Sequence, residues 1–279
     1  MIKFKKYIPS KVKHFIKSKL GIANRKADRG DYFHLKKIAR YEKTKVLLNG
    51  VQITIADSAS FLFMHKEIFD QQIYKFKTNN PNPYIIDGGA NIGLATIFFK
   101  QLYPNSEIIA FEPDAALVDV LESNVKSFGF RDVAIIPKGL WDKNEKLKFK
   151  SDGADAGILE NLNSNGTPTS VVEVTSLKPF LNKKVDFLKL DIEGAETIVL
   201  RDIADALIHV ERIFVEYHSF EGQKQTLNEI IDILSKAHFR LYMSIPGNNA
   251  LKSPFMGLVK YNDMDFQLNI FGFKDNTNG

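Results

Sequence analysis

The chain has 279 residues, 44% of them hydrophobic, with 22 Phe, which suffices for one large α/β domain with an appended segment or for two small domains. It has no cysteine, which excludes disulfides, thiolate metal sites and a cysteine nucleophile and fits a reducing compartment. The net charge of +5 is unevenly spread: residues 1–43 hold 14 Lys and Arg against three acids, Asp28, Asp31 and Glu42, leaving −6 for the remainder.

The basic start, residues 1–44, lacks the continuous apolar core of a secretory signal, and no run in the chain approaches membrane-spanning length. Ile8 to Leu20 has the spacing of an amphipathic helix, with Val12, Phe15 and Ile16 on one side. The arm reads first as a solvated, partly helical extension. Peripheral contact of residues 1–43 with an anionic membrane, or with an acidic partner, is the other reading. Nucleic-acid binding is not expected, because the excess charge stops before the segment that holds the pocket motifs. The expected location is cytoplasmic, extending to the inner membrane face.

Residues 45–83 form a second segment. Lys45 to Asp57 alternates about Asn49-Gly50, a strong hairpin signal, and Ser58 or Ser60 is placed to cap a helix through Phe69 and as far as Phe76. The breaker run Thr78 to Pro83 then opens the core domain, 84–279. From Tyr84 strand and helix alternate, the pattern of a doubly wound, mostly parallel sheet. Strands are predicted at 84–86, 107–111, 133–137, 146–150, 171–175, 185–190, 212–218, 239–245 and 266–273, the last antiparallel. Helices are predicted at 115–128, from Glu196 to about Ala206, and at 226–237. The polar stretch Asp152 to Ser170 reads as a lid or a disordered insertion.

The run YIIDGGANIGLATIFF, Tyr84 to Phe99, is a strand, a small-residue loop and a helix, the ligand corner of such a fold. Gly88, Ala90 and Gly93 have dinucleotide spacing, but Asp87 would repel a pyrophosphate and Ala90 crowds its approach. S-adenosylmethionine has no phosphate. Its ammonium and sulfonium suit Asp87, and its ribose diol suits Glu112, 19 residues after Gly93 at the next strand end. The expected cofactor contacts are therefore Asp87, Gly88, Gly89, Ala90, Asn91 and Gly93 in the loop, Glu112 and Pro113, and Leu140 and Asp142 at the adenine edge. The plainer alternative is that Asp87 caps the helix and Glu112 ends a strand.

The motifs DGGANIGLAT, IIAFEPD, VDFLKLDIEGAETIVL and IFVEYH, spanning Ile85 to His218, resemble the successive motifs of FkbM-type methyltransferases. The resemblance implies a Rossmann-like class I fold with a seven-stranded sheet. It also implies S-adenosylmethionine as donor and O-methylation of sugars, polyketides or other secondary metabolites. Gly88 stands where the family usually has Val or a similar residue, a change expected to loosen the turn.

Asp191 and Glu193 lie two apart at one strand end, and Glu216 and His218 repeat that spacing on the next strand. Methyl transfer to a hydroxyl requires its proton to be removed, and His218 is the leading base, with Glu193 orienting it or the acceptor. Asp191 is placed to meet the cofactor's methionine end or the acceptor. The alternatives are that Glu193 only satisfies helix N–H groups and that His218 is a bonded core residue. Asp191, Glu193 and Glu216 are also oxygen ligands suited to Mg²⁺ or Ca²⁺, but nothing in their spacing fixes octahedral geometry, and a required divalent metal is not the favoured reading. No Gly-x-Ser-x-Gly, Walker or HExxH pattern is present, so hydrolase and kinase readings have no motif. The sequence thus points to an O-methyltransferase acting on a hydroxyl of a small-molecule or glycan acceptor, with a sugar, glycan or glycolipid precursor as the expected one. A secondary-metabolite methyltransferase is the neighbouring alternative, and a non-catalytic binding module is the alternative of another class.

Overall fold

A computed structural model describes residues 32–151, 157–160, 170–248, 254–258, 260 and 263–274. The helix expected over Ile8 to Leu20 and most of the expected lid, 152–156 and 161–169, lie outside the described residues.

Seven strands form the central sheet. In chain order they are β3 (Tyr84–Gly88), β4 (Glu107–Phe111), β5 (Val133–Ile136), β10 (Phe187–Leu190), β11 (Arg212–Phe220), β12 (Arg240–Ser244) and β13 (Met264–Phe273), arranged β12-β13-β11-β10-β3-β4-β5. All neighbours run parallel except β13, which pairs antiparallel with β11 and β12. The sheet is thus the Rossmann-like one expected, with an antiparallel strand inserted near one edge. Strand order reverses between β3 and β10, and a doubly wound sheet opens its ligand crevice at the carboxyl ends there.

Around the sheet lie α2 (Leu94–Leu102), α3 (Ala115–Ser127), α4 (Glu196–Asp202) and α5 (Leu227–Lys236). β3 is buried on both faces, as a central parallel strand must be. Residues 139–175 contribute a separate four-stranded sheet, β6 (Gly139–Leu140), β7 (Glu145–Ser151), β8 (Gly157–Glu160) and β9 (Ser170–Thr175), ordered β6-β9-β7-β8. Part of the segment expected as a lid is therefore paired strand: β8 lies antiparallel to β7.

The segment before Tyr84 packs into the same core. The hairpin of β1 (Thr44–Leu48) and β2 (Val51–Ile55) turns through Asn49 at φ 50° and Gly50 at φ 84°, as the Asn-Gly pair dictates. Asn124 of α3 pairs with both main-chain groups of Thr54 and donates to the carbonyl of Ile92 at 2.9 Å, fastening the hairpin beside the glycine loop. Tyr32 and Leu35, within the basic arm by sequence, are buried in this core. The packing shows no break at residue 83.

The helix α1 (Ser58–His65) is capped by Asp57, not by Ser58 or Ser60. Its carboxylate accepts from Ser60 N–H and, on the other oxygen, from Tyr41 N–H and Arg40 Nε, each at 2.8 Å. Burial would raise the acid's pKa, but these donors outweigh it and hold Asp57 near 2. α1 runs into a π-helical turn, Lys66–Gln71, ended by Gln72 in the left-handed region at φ 58°. Such widened turns recur at functional sites, and this one carries Glu67.

Candidate active site

A cavity of about 480 Å³ opens at the carboxyl ends of β3, β4, β10 and β11. Its walls come from the glycine loop, the β10–α4 loop, β11, β13 and the α1–π segment.

At one end, Gly89, Ala90 and Asn91 meet Glu112, Pro113 and Leu140. Gly89 sits at φ 77°, and a Cβ there would stand 1.8 Å from the carbonyl oxygen of Asp191, so only glycine lets the two loops touch. Gly93, at φ 90°, caps α2 and packs where a Cβ would meet Leu121 at 2.6 Å; it does not line the cavity. A Cβ at Gly88 would stand 2.7 Å from Leu140 and 2.9 Å from the Lys189 carbonyl. Gly88 therefore tightens the packing under Leu140, where a loosened turn was expected. Glu112 accepts Asn91 N–H on one oxygen and Asp114 N–H on the other, both at 2.9 Å. Burial pushes its pKa up to about 7, against the pull of those two N–H groups.

Asp87 is placed differently from the sequence expectation. It is fully buried beneath the loop, accepts from Thr96 Oγ1 at 2.7 Å and lies 3.4 Å from Lys189 Nζ; it does not line the cavity. The reason is register. Asp87 stands opposite Lys189 in the β3–β10 pair, so its carboxylate neutralises a neighbouring strand's ammonium. Asp142 is exposed and also lies outside the cavity wall.

Lys189 was not singled out by sequence, although a lysine flanked by Leu188 and Leu190 in a central strand was a visible signal. Its buried ammonium donates to Gly89 O at 2.8 Å and Gly88 O at 3.2 Å, and pairs with Asp191 Oδ2 at 3.2 Å. Burial works to discharge it, but Asp191 and Asp87 outweigh burial and keep its pKa above the usual lysine value. Lys189 thus holds the glycine loop and Asp191 together.

At the other end of the cavity stand Asp191, Glu193, Glu216 and His218, brought together as the spacing implied, with Gln267 of β13 and Glu67 added. His218 is almost wholly buried. Its Nδ1 lies 3.0 Å from Glu196 Oε1, and its Nε2 faces Glu193 Oε2 at 3.7 Å. Glu196 also accepts N–H groups of Ile192 at 3.2 Å and Gly194 at 3.1 Å. Glu196 thus sits at the helix start and against Nδ1 of the histidine, while Glu193 faces its Nε2. Glu193 adopts φ 53°, a conformation that costs a non-glycine residue about 1 kcal/mol or more. Its side chain lines the cavity beside His218.

Burial alone would lower the His218 pKa, but Glu193, Glu196 and Glu216 together raise it well above the usual value. Glu216 is raised well above the carboxylate range, by burial first and then by Asp191. Gln267, opposite His218 in the β11–β13 pair, donates to Glu216 and sits 3.3 Å from His218 Nε2. Glu67 accepts from Gly247 N–H, and burial, reinforced by Asp191, pushes it up to about 7.

Asp191, Glu193 and His218 present ligand atoms within 4.8 Å of one another, close enough for one divalent ion.

Over residues 87–241 the chain matches the family model described as the methyltransferase FkbM domain. The chain belongs to the FkbM methyltransferase family. Among curated relatives, Methyltransferase 1 of Beauveria bassiana is 29% identical over 195 residues, covering 61% of this chain and 78% of that protein. The 2-O-methyltransferase NoeI of Sinorhizobium fredii is 24% identical over 240 residues, covering 75% and 93%. The 31-O-demethyl-FK506 methyltransferase FkbM of Streptomyces tacrolimicus is 23% identical over 228 residues, covering 69% and 86%. The FkbM match ends before β13 and begins after α1, so Gln267, Glu67 and the other cavity residues before position 87 lie outside the matched segment. Among the described residues no helix is long and apolar enough to cross a membrane.

Proposed function

We propose that the chain is an S-adenosylmethionine-dependent O-methyltransferase that acts on a hydroxyl of a sugar, glycan or glycolipid precursor. The observation that carries this reading is one continuous cavity with a carboxyl fixed by main-chain donors at one end and a carboxylate-backed histidine at the other.

The first end suits the donor. Glu112 has both oxygens aimed by N–H groups and retains lone pairs for a ribose diol, while Leu140 and Pro113 supply apolar wall for a purine. S-adenosylmethionine, when bound, supplies a methyl on a positively charged sulfur. Asp191 and Glu193 offer carboxylates at the second end, beside the glycine loop that Lys189 ties to Asp191, where a positive charge is favoured. Glu196 holds His218 through Nδ1, so Nε2 is the nitrogen that takes the acceptor's proton. A base takes a proton only in its neutral form and the neighbouring carboxylates raise the His218 pKa, so activity belongs to the alkaline side of its titration. The O-methylation reading draws support from the 2-O and 31-O positions named in the NoeI and FkbM relatives, and the sugar reading from the polar acceptor end; the FK506-directed relative favours a secondary metabolite as the second reading. The basic arm supports peripheral contact with an anionic membrane, where glycolipid precursors are found.

Calorimetry with S-adenosylmethionine and NAD tests the donor. The expected result is S-adenosylmethionine binding that weakens about tenfold or more in Glu112→Ala, the loss of a charge-assisted bidentate contact. NAD binding without S-adenosylmethionine binding would overturn it. Binding with no methyl transfer to any hydroxylated acceptor would point to a binding module.

A further inference from the structure

One wall of the cavity is a helix face that precedes the matched family segment. Along α1 and the π turn, Ala59, Ser60, Phe63, Met64, Glu67 and Ile68 line the cavity, at the three- and four-residue spacing that puts side chains on one side. The other side packs into the core. Phe61 is fully buried, and the His65 ring lies 5.0 Å from that of Tyr32 and 5.2 Å from that of Phe69. The helix is thus held from behind, with its front turned to a ligand.

Two residues of this front offer different chemistries side by side. Phe63 lines the cavity yet keeps 40% of its surface open. Glu67, four residues on, is buried and accepts the Gly247 N–H. A carboxylate has roughly four lone-pair sites, so Glu67 retains acceptor capacity for a ligand. A Cβ on Gly247 would stand 3.7 Å from the Phe63 ring, so the residue that bonds the carboxyl also lies beside the ring. Asp191 helps raise the Glu67 pKa, and Glu67 helps raise that of Glu216, which sets this wall against the His218 end of the cavity.

We propose that Phe63 and Glu67 form the acceptor subsite, with Phe63 stacking on the C–H face of a pyranose ring and Glu67 accepting hydroxyls at its rim. The inference rests on the reading of the chain as a sugar-directed O-methyltransferase, and it assigns the residues that recognise the sugar. The pair selects this class by its two chemistries. One face of a pyranose is a patch of C–H bonds whose partial positive charge suits the negative face of an aromatic ring. Its rim is a set of hydroxyl donors that need acceptors. An aliphatic acceptor would use Phe63 and leave the buried carboxyl without hydroxyls, which is costly. A linear polyol would use Glu67 alone.

The test is saturation-transfer NMR on the full chain with S-adenosylhomocysteine, at pH 8, above the Glu67 value of about 7. The probes are the methyl pyranosides of glucose, galactose and mannose, with cyclohexanol and sorbitol as controls. The expected result is binding of at least one pyranoside. Its affinity should fall about 3- to 10-fold in Phe63→Ala and in Phe63→Leu, the scale of one aromatic contact, and be retained in Phe63→Trp. In Glu67→Gln it should fall about tenfold, the loss of a charge-assisted hydrogen bond. Melting temperatures of the Phe63 variants, and S-adenosylhomocysteine affinity in all of them, should match the parent's. Pyranoside binding unchanged in Phe63→Leu overturns the stacking, and binding unchanged in Glu67→Gln overturns the rim contact. Cyclohexanol bound as tightly as every pyranoside assigns the wall to an apolar acceptor and overturns the proposal. A parent that binds S-adenosylhomocysteine but no pyranoside overturns it while leaving the methyltransferase reading; one that binds neither overturns both.

Discussion

At one end of the cavity Glu112 takes two main-chain N–H groups, from Asn91 and Asp114; at the other, Glu196 takes two, from Ile192 and Gly194, and also holds His218. The local constructions are alike, a carboxyl fixed by backbone donors beside a helix start. Their outcomes differ because of what lies in front. Glu112 faces open cavity, so its remaining lone pairs are available to a ligand. Glu196 stands behind a buried imidazole and acts on a ligand only through that ring. Two carboxyls equally well anchored thus become a contact and a support. On the proposed function the donor end is set mainly by backbone and one acid, whereas the proposed acceptor end is a group of coupled side chains whose charges depend on one another.

The largest effect is expected where the ends join. In Gly89→Ala the new methyl would overlap the Asp191 carbonyl and sit at a positive φ, so the glycine loop or the β10–α4 loop must move. A loss of about 3 kcal/mol or more in unfolding free energy is expected, together with loss of donor binding. Unaltered stability in chemical denaturation would show that the two loops are independent, and the comparison would fail.

The next effect separates the ends. His218→Ala should lower kcat by about 10²- to 10⁴-fold, the usual contribution of a general base, with donor affinity retained. Glu196→Gln keeps the shape but removes one of the charges that raise His218. The base is active when neutral, so activity falls as pH drops through its titration, and the parent's acid limb should lie well above the ordinary histidine range. In Glu196→Gln that limb should shift to lower pH. A collapse of donor affinity in His218→Ala, or an unmoved limb in Glu196→Gln, would dissolve the distinction between contact and support.

The sequence carried the fold far because parallel strands alternating with helices leave a strong periodic trace, and Asn49-Gly50 has few conformations other than a hairpin turn. It carried the acceptor end as a grouping, since Asp191, Glu193, Glu216 and His218 fall at two neighbouring strand ends. What it did not carry depends on register and on backbone sign. Asp87 turns beneath the loop because β3 and β10 pair it with Lys189, and no local pattern states which strands pair in what register. That Glu196 holds Nδ1 of His218 while Glu193, at φ 53°, faces Nε2 from the cavity wall is a matter of backbone conformation that residue type does not state. Gly88 was read by its family position, while its use is the space it leaves for Leu140. The second sheet of residues 139–175 was seen as separate strands, because pairing among short strands is non-local.

The smallest effect concerns Glu67, which belongs to the acceptor end but comes from the π turn, outside the matched family segment. Its carboxyl titrates near 7 in the folded chain against 4.5 in the reference state, so the folded state binds the proton more tightly. Stability should therefore decline as pH rises from the unfolded value through about 7, with the full penalty present above that. Glu67→Gln retains an oxygen for the Gly247 N–H and removes the ionisation. At pH 4, below both values, the variant should match the parent. At pH 8 it should be more stable by about 1 kcal/mol, a melting-temperature gain of roughly 2–4 °C. Donor affinity should be untouched at both pH values if Glu67 serves the acceptor end alone. A variant less stable than the parent at pH 8 would mean that the Glu67 charge is compensated within the cavity, and that this end is less strained electrostatically than its carboxyls imply.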